Sequence, residues 1–375
     1  MVDKLTPSGL PELGVVEIAT TNYGGHPPEF WAKQLTDKIV GYSDNNEQHI
    51  KDQARAYKDL IYEVSLIYIK NAIKSYKASL IQELIQSNQK VICLDNFFTG
   101  SKNNIFEWIN NPNFKLIRHD ITIPITLDID KIWHFACPAS PIHYQSNPIK
   151  TAKTSFLGTL NMLELAKKTG ASLLFASSSE IYGNSEISPQ SENYFGNVNP
   201  NGIRSCYDEG KRISETLCSD FQRIYNLDIK IVRIFNTYGP KMLANDGRVI
   251  SNFIIQALQN KPLTIYGKGS QSRSFCYVDD LINGVLKIMD SKVNEPINIG
   301  HPVEISIQEL AERIINKINP RIEFIYKPLP SDDPFKRKPD LRKAENLINW
   351  SPNTSLDDGL EKTILWFKNN NIKIS

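Results

Sequence analysis

From Lys90 onward the chain alternates short β-branched runs with amphipathic helical stretches, and this constrains the fold more than any other feature. The runs are KVICLD (90–95), FKLIR (114–118), KIWHF (131–135), SLLFA (172–176) and IKIVRIF (229–235). A helical pattern at 79–89 precedes the first of them, and others follow at 151–168 and 206–225. Strands that are apolar on both faces and separated by helices build a parallel sheet covered on each side, so the alternation predicts a doubly wound α/β fold. Beyond Pro240 the pattern is more mixed, with helices predicted at 248–260, 306–317 and 355–369. That suits a smaller lobe on the sheet. The expected organisation is an irregular arm plus helical extension over 1–78, a Rossmann-like core over 79–240, and a mainly substrate-binding lobe over 241–375 that partly returns to the core.

Composition narrows the class. Of 375 residues, 41% are hydrophobic and 22% charged, with a formal net charge of +2 and both signs interspersed. No field that would attract nucleic acid or an anionic membrane follows from this. Five cysteines lack CxxC spacing and read as reduced thiols, which favours a cytoplasmic location and no metal framework. No apolar run at the N-terminus reads as a secretory signal, and 61–73, broken by Glu63 and Lys70, is too short to span a bilayer.

Chemistry first appears at Tyr207 and Lys211 in SCYDEGKR. Four residues apart on a helix, the two side chains share a face. An ammonium beside a phenol favours the phenolate, and such a tyrosine can take a proton from a sugar hydroxyl. The spacing alone is weak evidence. SLLFASSSEIYG (172–183) adds a strand running into a hydroxyl-rich turn, so Ser177, Ser178, Ser179 and Glu180 fall at the carboxyl end of a strand. Doubly wound sheets bind their ligands there. A turn bonded to its own side chains would explain one serine more easily than three and a carboxylate.

Several segments then resemble the UDP-glucuronate decarboxylases of the extended short-chain dehydrogenase/reductase (NAD-dependent epimerase/dehydratase) family, in order and at matching spacing. They are LDNFFTGSKNNI (94–105), HFACPASPIHYQSNPIKTAKTSFLGTLNMLELAKK (134–168), FASSSEIYG (175–183), NPNGIRSCYDEGKRISETL (199–217), RIFNTYGPKM (233–242), PLTIYGKGSQSRSFCYVDDL (262–281) and DDPFKRKPDLRKA (332–344). Sister epimerases and dehydratases share the YxxxK pair and the FNxYGP turn. The ACPASPIHYQ, RSCYDEGKR and RKPD segments resemble the decarboxylases in particular.

The resemblance implies NAD as cofactor, a UDP-sugar as substrate, and a homodimer packed through the helices at 151–168 and 206–225. It assigns catalysis to Tyr207, Lys211, Ser178, Ser179, Glu180 and Arg337. For NAD it implies Asp95, Asn96, Phe97, Asp120, Ile121, Thr154, Ala176 and Thr237 beside Tyr207 and Lys211, with Asp95 on the adenosine ribose. For the UDP-sugar it implies Lys153, Asn236, Arg248, Tyr266, Arg273 and Arg337. Read alone, Arg337 would be a surface charge in a basic loop, and Asp95 a strand-end cap.

One part of the pattern fails. The glycine loop that should cradle the NAD pyrophosphate falls on 70–77, KNAIKSYK, and no glycine or proline stands between Gly41 and Gly100. Without glycine the backbone has no low-cost positive φ and no close approach to phosphate. In place of the first strand, Ile50, Ala54, Tyr57, Ile61, Val64 and Tyr68 repeat at helical spacing. Residues 26–44 are similar to small helical proteins of phages and marine bacteria. The expected fold therefore has one strand fewer than a complete relative, with no strand within 60–78. Two other readings remain open: another nucleotide-sugar epimerase or dehydratase, and a nucleotide-sugar-binding remnant fused to a helical interaction module.

Overall fold

The computed structural model describes residues 75–98, 102–244, 246–329 and 336–370. The chain divides into two compact units, Met1–Lys70 and Asn71–Ser375, and all described residues belong to the second. The helical repeat at 50–68, the segment 26–44 and most of 60–78 lie outside the described residues.

Helix α1 (Ser75–Gln86) leads into β1 (Val91–Asp95), followed by β2 (Phe114–Arg118) and β3 (Lys131–His134). Helices α2 (Pro141–Ser146) and α3 (Pro148–Thr169) precede β4 (Ser172–Ser178), and α4 (Ser205–Tyr225) precedes β5 (Ile229–Ile234). The parallel strands of the core form two pieces among the described residues. One is β1–β2, in register from Val91↔Phe114 to Asp95↔Arg118. The other has the order β10-β5-β4-β3, where β10 is Ile297–Ile299. Chain from the C-terminal part thus returns to complete the core sheet, beside β5. The residues on which the expectation of one strand fewer turns, 60–74, lie outside the described residues.

Central β4 and β5 are buried along nearly their whole length, which explains their uninterrupted apolar sequence. Asn147 caps α3, its side chain accepting from the Lys150 N–H, with Pro148 at the first helical position. Gly170 ends α3 at φ 74° and Asn226 ends α4 at φ 52°, both left-handed caps. The two helices lie side by side because Gly210 has no side chain. A Cβ there would stand 2.8 Å from Ser155 Oγ. This approach fixes the face of α4 that carries Tyr207 and Lys211 against the end of β4.

Among the described residues the second lobe is built from short strands and five helices. Strand β6 (Thr237–Tyr238) pairs with β9 (Cys276–Tyr277), and β7 (Leu263–Tyr266) with β12 (Phe324–Lys327). Strand β8 (Ser272–Ser274) lies between β11 (Glu304–Ser306) and β13 (Lys336–Arg337). Helices α5 (Val249–Leu258), α6 (Val278–Met289), α7 (Ile307–Ile318) and α9 (Leu356–Asn369) enclose the largest apolar core, and α8 (Arg342–Ile348) closes beside β10. Among the described residues no helix is long and apolar enough to cross a membrane, and no group of three His, Cys, Asp or Glu is placed to hold a metal ion.

Candidate active site

Ser178 ends β4, and the chain turns at once into a 3-10 turn, Ser179–Tyr182. The Ser178 hydroxyl accepts the Glu180 N–H at 3.2 Å, which caps the turn and leaves the hydroxyl proton able to donate into the cleft. Ser177 is held differently. Its hydroxyl donates to Glu215 at 2.5 Å, and Glu215 is gripped by both ends of the Arg233 guanidinium at 3.1 and 2.8 Å. That pair braces the carboxyl ends of β4 and β5 from behind.

One cleft at these strand ends is lined by Ala176, Ser178, Ser179, Glu180, Tyr207, Lys211, Asn236, Thr237 and Arg248, together with Phe135, Cys137 and Ala139. Nine of the residues expected from sequence therefore meet in one place. Tyr207 is 5% exposed and its ring stacks on Tyr144, centroids 5.0 Å apart and planes 9° apart. Lys211 donates to the Ala176 carbonyl at 2.7 Å, with its ammonium 5.8 Å from the centre of the Tyr207 ring. The lysine is thereby anchored to β4 while its charge faces the phenol.

Glu180 is the electrostatic centre. Arg204 reaches its Oε2 at 2.5 Å and Arg337 reaches the same oxygen at 3.1 Å. Burial disfavours the charge, but Arg337, Arg204 and the more distant Arg273 outweigh it and hold the carboxyl well below the usual range. Arg337 is 1% exposed and donates also to the carbonyls of Ser179 and Gly183, each at 3.0 Å. The structure thus puts Arg337 behind the turn, holding its backbone, and not on the cleft wall. Arg273 is its register neighbour on β8.

Glu180→Gln would leave Arg337 a buried cation without its carboxylate, at a cost of about 3 kcal/mol. The expected result is a lower urea midpoint at neutral pH. Because the folded carboxyl titrates below its unfolded value, the stability it contributes is present above the ordinary carboxylate range and is lost as pH falls toward about 2. The gap between variant and unaltered protein should shrink over the same window. Equal midpoints at neutral pH would show that the carboxylate is not what balances Arg337.

The other expected residues stand apart from this cleft. Asp95 ends β1 with Oδ1 accepting the Phe97 N–H at 2.7 Å, Phe97 having φ 63°. Asn96 lies 3.4 Å from Asp120 at the end of β2. Lys150 donates to Asp120 at 2.5 Å. Burial opposes the charge on Asp120, but Lys150 and the Thr122 N–H and hydroxyl bring its carboxyl down to about 2. Ile121 is 6% exposed and packs toward Gly158 on α3, and Thr154 donates to its own helix at Lys150 O. Lys153 is exposed on α3, and Tyr266, 41% exposed, ends β7. The acceptors at the ends of β1 and β2 fit the ribose of an adenosine, and Tyr207, Lys211 and Ser178 fit a site of hydride and proton exchange. The described residues thus suit both ends of a dinucleotide.

Sequence reasoning missed Arg204, Asp208 and Tyr144. Arg204 and Asp208 stand four apart on one helix, a local signal that was there to be read, but the ion pair of Arg204 with Glu180 spans 24 positions. The model of the NAD dependent epimerase/dehydratase family matches residues 78–300. The chain belongs to this family. Among curated relatives it is 52% identical over 282 residues to UDP-glucuronic acid decarboxylase 5 of Arabidopsis thaliana, covering 75% of this chain and 83% of that one. It is 50% identical to decarboxylase 4 of the same plant, over 77% of this chain but 65% of the relative's length. UDP-glucuronic acid decarboxylase 1 of Danio rerio is 50% identical over 77% of this chain and 69% of its own. Among solved structures, the UDP-glucuronic acid 4-epimerase of Bacillus cereus, in complex with UDP-glucuronic acid and NAD, superposes with a TM-score of 0.72 at 27% identity. It covers 79% of this chain and 97% of the epimerase. Doubly wound sheets bind ligands at the carboxyl ends of their strands, and the cleft lies at those ends of β4 and β5.

Proposed function

We propose that the chain decarboxylates UDP-glucuronate to UDP-xylose with NAD as cofactor. One observation carries the reading: Tyr207 and Lys211 share a cleft with a carboxylate held between Arg204 and the buried Arg337. The tyrosine–lysine pair serves oxidation at a sugar hydroxyl. The arginine-rich cluster suits a sugar that bears a carboxylate.

When bound, NAD supplies a hydride acceptor for C4 of the sugar and afterwards returns the hydride. Asp95, Asn96, Phe97, Asp120, Ile121, Thr154, Ala176 and Thr237 are its proposed contacts, and Lys153, Asn236, Arg248, Tyr266 and Arg273 those of the UDP-sugar, with Arg337 acting from behind the turn through Glu180. Tyr207 takes the C4 hydroxyl proton, with the Lys211 charge stabilising the phenolate and Ser178 donating to the oxygen. The oxidised sugar is a β-keto acid, whose C5–C6 bond breaks as CO₂ leaves and the electron pair moves into the C4 carbonyl. Tyr207 and Ser178 then face the enolate oxygen. Glu180, kept ionised by Arg337 and Arg204, serves as the acceptor that orients the hydroxyl or water delivering a proton to C5.

The proposed homodimer is supported by exposed Phe156 and Leu157 on α3 and Ile213 on α4. A cytoplasmic location is supported by the five free cysteines.

Product analysis by proton NMR in D₂O tests the activity. UDP-xylose carrying deuterium at C5 is the expected product. UDP-galacturonate would instead make the chain an epimerase like its structural relative, and a UDP-4-keto sugar that keeps its carboxyl would also overturn the proposal.

A further inference from the structure

Behind the turn that carries Glu180 lies a chain of buried polar groups that the proposed steps leave unused. Its centre is Asn298 on β10, which is 0% exposed. The Asn298 Oδ1 accepts the Tyr182 hydroxyl at 2.8 Å. Its Nδ2 donates to the carbonyls of Gln190 at 3.0 Å and of Asp340 at 3.2 Å. The orientation of the amide follows from these partners, since two carbonyls require its donor end. Arg233 donates to the Tyr182 oxygen at 3.0 Å, which keeps the phenol proton turned toward Asn298. An aspartate would direct an acceptor at two carbonyls, and a leucine would leave all three partners without this bond in a buried place.

The three partners belong to separate pieces of chain around the site. Tyr182 closes the turn Ser179–Tyr182, and its ring packs on Phe235 and Tyr194, centroids 6.1 and 6.3 Å away. Asp340 lies three residues beyond Arg337. Gln190 ties down the stretch between those two. Its N–H donates to Lys338 O at 2.7 Å, and its Oε1 accepts the Lys338 N–H at 2.7 Å. Its carbonyl accepts the Asp340 N–H at 2.8 Å. One amide therefore sets the turn that carries Glu180 against the segment that follows Arg337.

We infer that Asn298 is a positioning residue that holds Glu180 against Arg337, and so fixes the face of the sugar on which C5 is protonated after CO₂ leaves. The C5 part rests on the proposed decarboxylation, and the brace itself does not. Asn298 does not line the cleft. It acts through Tyr182 on one side and through Gln190 and Asp340 on the other. If the chain is cut, the turn can slide relative to β13. The Arg337 bonds to Glu180 and to the carbonyls of Ser179 and Gly183 then lengthen together. Arg204 comes from α4 and keeps its hold on Glu180. The carboxylate therefore stays in the cleft with a less defined direction.

Two variants of the full chain cut the brace from opposite sides. Tyr182→Phe removes the hydroxyl and keeps the packed ring, and Arg233 retains Glu192 O and Glu215. Asn298→Ser removes the amide, and the tyrosine variant carries the test if the serine variant does not fold. The first readout is the drop in urea midpoint caused by Glu180→Gln at neutral pH. In either background that drop should shrink by about half, because one of the two guanidinium contacts has loosened. Combining Tyr182→Phe with Asn298→Ser should shrink it no further, since both cut one chain. A role in stability alone would lower every midpoint and leave the drop unchanged, which would overturn the inference. The second readout is UDP-xylose formed in D₂O. The unaltered protein should place deuterium at one of the two C5 positions, and the variants should spread it over both. Deuterium confined to one position in the variants would also overturn the inference while leaving the decarboxylation standing. No UDP-xylose from the unaltered protein would remove the decarboxylation reading and the C5 role with it, and the urea comparison would still decide whether Asn298 holds Glu180 in place.

Discussion

Tyr207→Phe is expected to lower kcat on UDP-glucuronate about 10³-fold, within the range general acid–base groups contribute. The ring stays stacked on Tyr144, so the wall of the cleft is kept and only the hydroxyl is lost. KM should change less than about threefold, because the missing interaction belongs to the transition state. Lys211→Met should also cut kcat. It should cost stability as well, since Lys211 is 4% exposed and its bond to the Ala176 carbonyl ties α4 to β4. A Tyr207→Phe enzyme with kcat within about tenfold of the unaltered protein would remove this residue from the proton path.

The second large effect concerns the two ligands. UDP-sugar binding is expected to be much tighter than NAD binding. Asn236 and Arg248 line the cleft, and the strands that carry Tyr266 and Arg273 are in place. The pyrophosphate of NAD depends on backbone N–H groups at a glycine-rich turn, and 70–77 contains no glycine. Losing two or three charge-assisted hydrogen bonds at about 1.5–3 kcal/mol each weakens binding by several powers of ten. Calorimetric titration with UDP and with NAD reads this directly. NAD binding as tight as UDP binding would mean that another segment has rebuilt the phosphate site.

Much of the architecture was legible because parallel strands buried on both faces must be apolar throughout. Strands read at 114–118, 131–135 and 172–176 appear as Phe114–Arg118, Lys131–His134 and Ser172–Ser178. Long helices with one apolar face were equally clear: that read at 206–225 is Ser205–Tyr225. The second lobe was less so, because strands of two to four residues carry no period. Helix α6 also hides an Asn-Gly pair, which ordinarily marks a turn. Gly284 stands there because a Cβ would come within 2.9 Å of Trp350 and Ile299.

At the site, residue types and strand-end position were readable, and the direction of each side chain was not. Arg337 illustrates this. Its sequence context resembles that of a carboxylate-binding arginine, yet the guanidinium is directed to Ser179 O, Gly183 O and Glu180, contacts spanning more than 150 positions. Arg204, unremarked in sequence, holds the same carboxylate more closely. Only the folded chain shows how the charges around Glu180 are shared.

The most direct measurement is CO₂ release from UDP-glucuronate labelled with carbon-13 at its carboxyl, with NAD in excess to offset a weak cofactor site. Labelled CO₂ should appear in step with UDP-xylose, and Tyr207→Phe should slow both by the same factor. Labelled carboxyl that stays on the sugar, while UDP-glucuronate binds and NAD is saturating, would contradict the proposed decarboxylation.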